Sequence, residues 1–263
     1  MEENKKFKLV ASKKTRYLLP NILTLAGVCL GISSIKFSID GNFSLAVTLI
    51  LFAAILDALD GRIARLIKGT SEFGKELDSL TDFVSFGIAP VFVLYFWDLN
   101  KYGKLGWAIT LVYSVCCVLR LARFNLTKVE ETQKWKNNFF EGIPSPAGGL
   151  LILMPLIYEL TNLNFGYDIK NLTPYLTVIV ALLLVSKVPT LALKKISISP
   201  KTTVFLLLAI GIIFIALLFY TLESLLVFGA VYLLSIPVSI LIYRNLNKKN
   251  SKKISDEDHE DVL

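Results

Sequence analysis

The sequence predicts an all-α fold, a polytopic membrane bundle of about eight transmembrane helices with both termini in the cytoplasm. Hydrophobic residues make up 54% of the 263 residues, and only 19% are charged. The mean hydropathy is +0.60, which is too apolar for an ordinary soluble domain. The net charge of +7 comes from basic residues grouped between long apolar runs, a pattern typical of multispanning membrane proteins and not of nucleic-acid binders.

Eight apolar windows are close to the roughly 20 residues that a helix needs to cross a bilayer. The second, third and fourth windows each carry charged residues near one end. Because successive windows run in opposite directions, these charged ends lie on the same side of the predicted bundle. In chain order the windows are Tyr17–Ile39, Phe43–Ile67, Leu77–Trp97, Leu105–Arg123, Ala147–Leu163, Pro174–Leu193, Thr203–Leu222 and Leu225–Tyr243.

The distribution of basic residues predicts the orientation of the chain. Of the 28 Lys and Arg residues, all but Lys36, Lys101, Lys104 and Lys170 lie in the two terminal tails or in the connections that follow the even-numbered windows. By the positive-inside rule these connections face the cytoplasm. The chain therefore divides into a basic cytoplasmic tail (1–16), a transmembrane domain (17–243) and a charged cytoplasmic tail (244–263), in the cell membrane.

A cleaved signal peptide is the alternative for the N-terminus, because basic residues precede an apolar run. That run is too long for a typical signal-peptide core and lacks an A-x-A-like site. The three cysteines, Cys29, Cys116 and Cys117, lie in apolar windows without a C-x-x-C motif, and we interpret them as small core residues. The single histidine, His259, lies in the acidic tail, which argues against a histidine-based mechanism.

Four aspartates stand at the charged ends of the second and third windows. Asp57 and Asp60 are spaced i,i+3, whereas Asp78 and Asp82 are spaced i,i+4, so each pair shares a helix face. An antiparallel hairpin would bring both pairs to one depth near the cytoplasmic boundary, where they repel each other unless a cation compensates them. Oxygen ligands alone favour Mg²⁺ or Mn²⁺, and four carboxylates can hold two ions in the arrangement that clamps a transferring phosphoryl group.

Residues between the two acidic pairs have properties that suit a phosphorylated ligand. Gly61 and Gly74 leave room for a bulky group to approach the backbone. Arg65 lies one turn beyond Asp60 and could pair with phosphate oxygens. The alternative is an intramembrane salt-bridge network, in which Arg62 or Arg65 neutralises an aspartate of the second window.

The eight fixed positions of this region spell D-x2-D-G-x2-A-R-x8-G-x3-D-x3-D, which begins at Asp57 and ends at Asp82. The pattern resembles the signature of the CDP-alcohol phosphotransferase family without a departure. The resemblance implies a membrane enzyme that displaces CMP from a CDP-linked lipid or alcohol with an alcohol acceptor. By motif it extends over about residues 17–150.

Further segments resemble one branch of that family, the integral-membrane CDP-diacylglycerol–serine O-phosphatidyltransferases. They are Pro20–Thr24, Leu77–Pro90, Arg120–Asn125 and Phe140–Ala147. Phosphatidylglycerophosphate synthases usually read L-D-P-x-A-D-K where this chain has Ser79 and Phe83. The resemblance therefore implies CDP-diacylglycerol and L-serine as substrates, Mg²⁺ or Mn²⁺ as cofactor, membrane lipids as surroundings and a homodimer as the assembly.

The resemblance also implies a role for individual residues. The metal ligands would be Asp57, Asp60, Asp78 and Asp82, with Asp82 also acting as the general base. The contacts to the CDP-lipid would be Asn21, Thr24, Gly61, Arg65 and Gly74. The acceptor would be held by Arg120, Arg123 and Asn125, although arginines at this helix end also satisfy the positive-inside rule.

Two competing functions follow from the same residues. A secondary transporter or channel would also hold intramembrane acids, but distributed near the midplane rather than clustered at one end of a hairpin. The same chemistry could instead use glycerol phosphate, inositol phosphate or choline as acceptor, or an archaeal-type CDP-lipid as donor. A change of a few side chains would be enough to alter the acceptor.

Overall fold

The computed structural model describes residues 13–67, 69, 71–126, 139–161, 169–191, 208, 211, 215–217 and 219–260. Helical segments make up most of this part of the chain. They are α1 (Lys13–Ile39), α2 (Phe43–Leu66), α3 (Glu72–Asp82), α4 (Ala89–Trp97), α5 (Lys104–Leu126), α6 (Ser145–Ile152), α7 (Met154–Leu160), α8 (Thr173–Val185) and α9 (Thr221–Glu260). Two short strands, β1 (Phe139–Glu141) and β2 (Pro189–Leu191), complete the fold.

Among the described residues, five helical segments are long and apolar enough to cross a membrane. They are Leu18–Ile39, Phe43–Leu66, Glu72–Trp97, Lys104–Leu126 and Thr221–Arg244. These segments correspond to the first four predicted windows and to the last, so a multi-pass helical membrane protein is confirmed. The total of eight helices and the cytoplasmic position of the termini stay predictions.

The remaining windows differ from uninterrupted spanning helices. The fifth is divided into α6 and α7, because Pro155 near the start of α7 has no N–H to continue the helical ladder. The sixth is helical only as far as Val185 and then enters β2, so its predicted continuation to Leu193 is wrong at residues 186–191. Most of the seventh window lies outside the described residues.

A tight turn joins α1 to α2 and makes them antiparallel. Gly41 adopts a positive φ of 79°, which a glycine tolerates without steric cost. Asn42 caps α2, because its side-chain oxygen accepts a hydrogen bond from the Leu45 amide at 3.2 Å. This hairpin places Thr24 of α1 opposite Asp60 of α2.

A π-helical turn, Phe83–Ile88, connects α3 to α4 directly after Asp82. Side-chain hydroxyls on neighbouring helices bind backbone groups of this turn. The Tyr113 hydroxyl donates to the Phe86 carbonyl at 3.0 Å, and the Ser114 hydroxyl lies 3.3 Å from the Gly87 carbonyl. Single π-helical turns occur frequently at functional sites, and here α5 fixes the segment that carries the fourth aspartate.

The strands β1 and β2 pair antiparallel, with Phe140 opposite Thr190. They tie the segment after α5 to the end of α8, close to the start of α6. The core beneath them is formed by apolar side chains of α2, α4, α5, α6, α7 and α8. Cys117 is buried in this core as predicted, but the prediction is wrong for Cys29, which is exposed on the outer surface of α1.

Candidate active site

Three of the four predicted metal ligands form one cluster. One carboxylate oxygen each from Asp57, Asp60 and Asp78 lies within 4.8 Å of the other two. Asp57 and Asp60 come from the last turns of α2, and Asp78 comes from α3, whose first turn is capped by Ser71 through a 3.0 Å bond from the Gly74 amide. Three convergent carboxylate oxygens suit a hard divalent cation.

Asp60 is the most firmly held member of this cluster. Its residue is only 3% exposed, and the Thr24 hydroxyl donates to Asp60 Oδ2 at 2.6 Å. This bond joins α1 to α2 at the depth of the cluster. Thr24, predicted as a contact to the CDP-lipid, therefore also orients a candidate metal ligand, in the way that outer hydrogen-bond partners commonly do.

Asp82 stands beside the three-oxygen cluster, next to Asp57. Its Oδ2 atom lies 3.5 Å from the Ser145 hydroxyl at the start of α6. Its Oδ1 atom is buried and has no hydrogen-bond partner within the described part of the protein. A buried carboxylate oxygen without a partner is unusual. Asp98 Oδ2 shares this feature, but the other oxygen of Asp98 is paired with Lys101 at 2.7 Å, whereas Asp82 has no such ion pair among the described residues and keeps its carboxylate available to a proton donor.

A cleft of about 220 Å³ opens beside the cluster. Asp60 and Asp78 lie in its wall. All five residues that the sequence predicts as CDP-lipid contacts also line it: Asn21, Thr24, Gly61, Arg65 and Gly74. The sequence reasoning missed Ser71 and Lys75, which line the same cleft; Lys75 follows Gly74 directly, so its position in the motif was the available signal.

The two motif glycines differ in what surrounds them. A Cβ atom at Gly74 would come within 3.1 Å of the Ser71 hydroxyl and 3.4 Å of the Asn21 side chain, so local packing explains this glycine. A Cβ atom at Gly61 would meet no protein atom within 4 Å. Gly61 lies inside α2, where glycine is unfavourable, and the free space beside it belongs to the cleft.

The three predicted acceptor contacts do not form one group. Arg120 is 9% exposed, and its Nη1 atom donates to the Ser145 hydroxyl at 2.6 Å, on the same side as Asp82. Arg123 instead donates to the carbonyls of Val185 at 2.7 Å and Ser186 at 3.0 Å.

Asn125 is the third predicted acceptor contact. Its side-chain nitrogen donates to the Ser79 hydroxyl at 3.0 Å. None of the three predicted acceptor contacts, Arg120, Arg123 and Asn125, lines the cleft.

The alternative of a salt-bridge network is not seen in the structure. Across the described ranges, no Lys or Arg nitrogen lies within 4.0 Å of a carboxylate oxygen of Asp57, Asp60, Asp78 or Asp82. The four acids therefore have no direct ion pair with a described basic residue, and Arg120 acts on Asp57 and Asp82 only from a longer distance; a bound divalent ion would stabilise such a group of acids.

Comparison with known proteins identifies the class to which this geometry belongs. The CDP-alcohol phosphatidyltransferase family model matches residues 17–184, which is more than half of the chain. The chain belongs to this family, a family of membrane phosphotransferases that are generally metal-dependent.

Relatives that share one name occur in several organisms. The CDP-diacylglycerol–serine O-phosphatidyltransferase of Mycobacterium tuberculosis is 38% identical over 199 residues, which cover 74% of this chain and 68% of the relative. The protein of that name from Helicobacter pylori is 33% identical over 218 residues, 83% of this chain and 89% of the relative. The one from Methanocaldococcus jannaschii is 41% identical over 106 residues, 40% and 47% of the two chains.

Proposed function

We propose that this protein transfers the phosphatidyl group of CDP-diacylglycerol to the hydroxyl of L-serine, giving phosphatidylserine and CMP. The single observation that carries the proposal is a three-carboxylate cluster, two members of which line a cleft, with the buried Asp82 beside it. The names of the relatives, which extend over most of this chain, favour serine as the acceptor.

The cleft has the polar groups that a CDP headgroup requires. Arg65 supplies positive charge for the pyrophosphate. Lys75 lies in the same wall and is paired with Glu72 at 2.8 Å. The open space at Gly61 allows the nucleotide to approach the backbone of α2. Asn21 supplies an amide for hydrogen bonds to the nucleotide. The acyl chains remain in the bilayer beside the exposed apolar surface of the helices.

Asp57, Asp60 and Asp78 are the residues that would hold the metal, with Asp82 beside them as the fourth ligand if two ions bind. Bound Mg²⁺ or Mn²⁺ would supply charge neutralisation at the pyrophosphate and at the departing CMP. The protein's own part is to fix the carboxylates: the Thr24 hydroxyl orients Asp60 at 2.6 Å.

The transfer forms one bond to phosphorus and breaks another. The serine hydroxyl oxygen attacks the lipid-side phosphorus in line with the bond to CMP, and CMP leaves with the electron pair of that bond. Asp82 accepts the hydroxyl proton, since its Oδ1 atom has no other hydrogen-bond partner in the described structure. Serine is water-soluble, so we place the site at the cytoplasmic face, where the basic connections lie.

The experiment that tests the function is an acceptor panel with labelled CDP-diacylglycerol and purified protein in detergent. We expect labelled phosphatidylserine and stoichiometric CMP with L-serine, and no lipid product with glycerol phosphate, inositol phosphate or choline. A parallel series with an archaeal-type CDP-lipid tests the donor. A product with glycerol phosphate alone would overturn the serine assignment, whereas the absence of CMP with every acceptor would favour a transporter.

A further inference from the structure

The π-helical turn Phe83–Ile88, which directly follows the candidate base, has a cause in the sequence. In an α-helix the carbonyl of Phe86 would accept a hydrogen bond from the amide of residue 90, but that residue is Pro90 and has no N–H. The helix forms a wider turn here, in which the Ala89 amide donates to the Val84 carbonyl five residues back. The Phe86 carbonyl thus lacks its α-helical donor and is open to a donor from a neighbouring helix.

Tyr113 of α5 supplies such a donor. Its hydroxyl donates to the Phe86 carbonyl at 3.0 Å, and the residue is fully buried. Ser114 of the same helix places its hydroxyl 3.3 Å from the next carbonyl, that of Gly87. Both hydroxyl groups contact the backbone of the turn and not its side chains, so α5 fixes the position of the turn itself.

Two other helices hold the turn from different sides. The Ser85 hydroxyl donates to the Gly27 carbonyl of α1 at 3.2 Å. On α6, a Cβ atom at Gly149 would come within 3.2 Å of the Phe86 oxygen and 3.3 Å of its Cα atom. The glycine therefore lets α6 pack directly on the backbone of the turn, and the turn is fixed by α1, α5 and α6 together.

The geometry of this turn sets the direction of Asp82 relative to the helix that follows. An α-helical turn would close one residue earlier than the π-helical one. It would rotate Asp82 about the helix axis by about 100° relative to α4, since an α-helix has 3.6 residues per turn. A rotation of that size would carry the Asp82 carboxylate away from Asp57, beside which it now lies.

We propose that Tyr113 is a positioning residue for the transfer reaction: its hydroxyl takes the place of the amide missing at Pro90 and so holds the turn that directs Asp82 toward the carboxylate cluster. This inference rests on the proposed function, because it requires Asp82 to be the base. No residue of the turn lines the cleft. Tyr113 should therefore affect the rate of the chemical step and not the binding of CDP-diacylglycerol.

The first test is Tyr113→Phe, which keeps the ring and removes only the hydroxyl. We expect kcat with CDP-diacylglycerol and serine to fall on the order of 10–100-fold, the effect of displacing a catalytic group by about 1 Å. The KM for CDP-diacylglycerol should stay within about twofold of the wild-type value, since the cleft is unchanged. The matched control is Thr110→Val, which removes an equally buried hydroxyl from α5. Thr110 bonds to the Gly106 carbonyl of its own helix at 3.0 Å, so this variant should keep the wild-type kcat.

Pro90→Ala separates positioning from stability. Alanine restores the amide at residue 90, so the double variant Tyr113→Phe/Pro90→Ala offers the Phe86 carbonyl an α-helical donor. We expect the melting temperature, lowered in Tyr113→Phe, to recover in the double variant, whereas kcat stays low because an α-helical turn misdirects Asp82. Recovery of kcat together with the melting temperature would show that Tyr113 only stabilises the fold, and would overturn the proposal.

Gly149→Ala disturbs the turn from the α6 side and gives an independent measurement. Its methyl group presses on the Phe86 backbone, so kcat should fall while the KM for CDP-diacylglycerol is kept. If Tyr113→Phe does not fold, Gly149→Ala takes its place. An unchanged kcat in the variant measured, or a loss found only in the KM for CDP-diacylglycerol, would overturn the positioning role while the serine transferase function stands. A wild-type protein that makes no phosphatidylserine overturns the proposed function itself.

Discussion

The two ends of the helical bundle differ in whether their buried or clustered acidic residues have basic partners. At the end formed by the α1–α2 turn, the segment after α4 and the segment before α8, lysines pair with the acids within 2.9 Å: Lys36 with Asp40, Lys101 with Asp98 and Lys170 with Glu159. At the other end, Asp57, Asp60, Asp78 and Asp82 have no basic partner among the described residues. This end also has a lysine pair, Lys75 with Glu72 at 2.8 Å, but its four clustered aspartates have no such partner within the described residues.

This contrast separates structural acids from candidate catalytic ones. An acid that serves the fold is neutralised by a neighbour, as each of the three lysine pairs shows. An acid that binds a metal or accepts a substrate proton must keep its oxygens available, and the fold tolerates the repulsion until the ligand arrives.

The largest expected effect is the loss of turnover in Asp82→Asn. The amide keeps the shape of the side chain but cannot accept the serine proton, so CMP release should fall about a thousandfold or more. Binding of CDP-diacylglycerol should be largely kept. Asp40→Asn is the matched control at the opposite end, and it should retain wild-type activity. Wild-type turnover in Asp82→Asn would contradict the assignment of Asp82 as the base. The distinction between paired structural acids and unpaired catalytic acids would then not hold for Asp82.

The next effect concerns the cation that the unpaired acids are expected to bind. Rigorous chelation should abolish activity, and Mg²⁺ or Mn²⁺ should restore it. Saturating metal should also raise the thermal stability in detergent, because a ligand at 100 times its Kd stabilises the native state by about 2.7 kcal/mol.

Asp57→Asn is the variant that makes the stability measurement specific for the site. It removes one oxygen of the three-carboxylate cluster, so the metal-dependent rise in melting temperature should shrink strongly. Asp40→Asn should keep the full rise. Full activity after chelation, or an equal rise in both variants, would mean that the cluster holds no functional metal.

A smaller effect is expected at Gly61, where an added methyl group should stabilise α2 but should also occupy part of the cleft. Gly61→Ala should stabilise α2 by about 0.5–1 kcal/mol, because alanine is the better helix residue and no protein atom lies within 4 Å of the new Cβ. The same methyl group enters the cleft and should raise the KM for CDP-diacylglycerol. A more stable variant with an unchanged KM would show that the nucleotide does not approach α2 at this position.

The sequence was sufficient to predict that these carboxylates converge, but not the contacts that surround Asp82. Helix periodicity and one hairpin bring Asp57, Asp60 and Asp78 together, and both effects are local. The contact between Arg120 and Ser145 joins α5 to α6, and the contact between Ser145 and Asp82 joins α6 to the end of α3. Such contacts depend on how distant segments pack, which a single sequence does not encode in a readable pattern.

The difference between local sequence patterns and contacts between distant segments also explains where the helix predictions succeeded. The windows for α1, α2, α4 and α5 are long apolar runs whose charged residues stand near one end, and their length identifies them. Hydropathy does not register the break at Pro155 or the strand at Pro189–Leu191, because those residues lie in equally apolar surroundings. Cys29 was misjudged for a related reason: in a membrane protein an apolar helix face can point outward as readily as inward.

The smallest effects are expected for the lysine–acid pairs at the end of the bundle opposite the four aspartates. There the loss of stability on removing the lysine should increase with the burial of the acid. The side chain of Asp98 is 4% exposed and that of its partner Lys101 is 42% exposed; Lys101→Met leaves a buried carboxylate unpaired and should lower the free energy of unfolding by about 1–3 kcal/mol. In the exposed pair the side chains of Lys36 and Asp40 are 67% and 46% exposed, so Lys36→Met should change the stability by less than about 1 kcal/mol. Both variants should keep wild-type turnover.

The titration of Lys101 determines how the stability difference between wild type and Lys101→Met depends on pH. The hydrogen bond to Asp98 raises the pKa of Lys101 above its ordinary value of 10.5, so the stabilising pair is complete at neutral pH and is lost only as the pH rises through that increased value. Denaturation at neutral pH and above pH 11 should therefore show the gap between wild type and Lys101→Met closing in alkali. A gap of the same size at both pH values would mean that Lys101 stabilises this end by packing of its aliphatic chain and not by its charge.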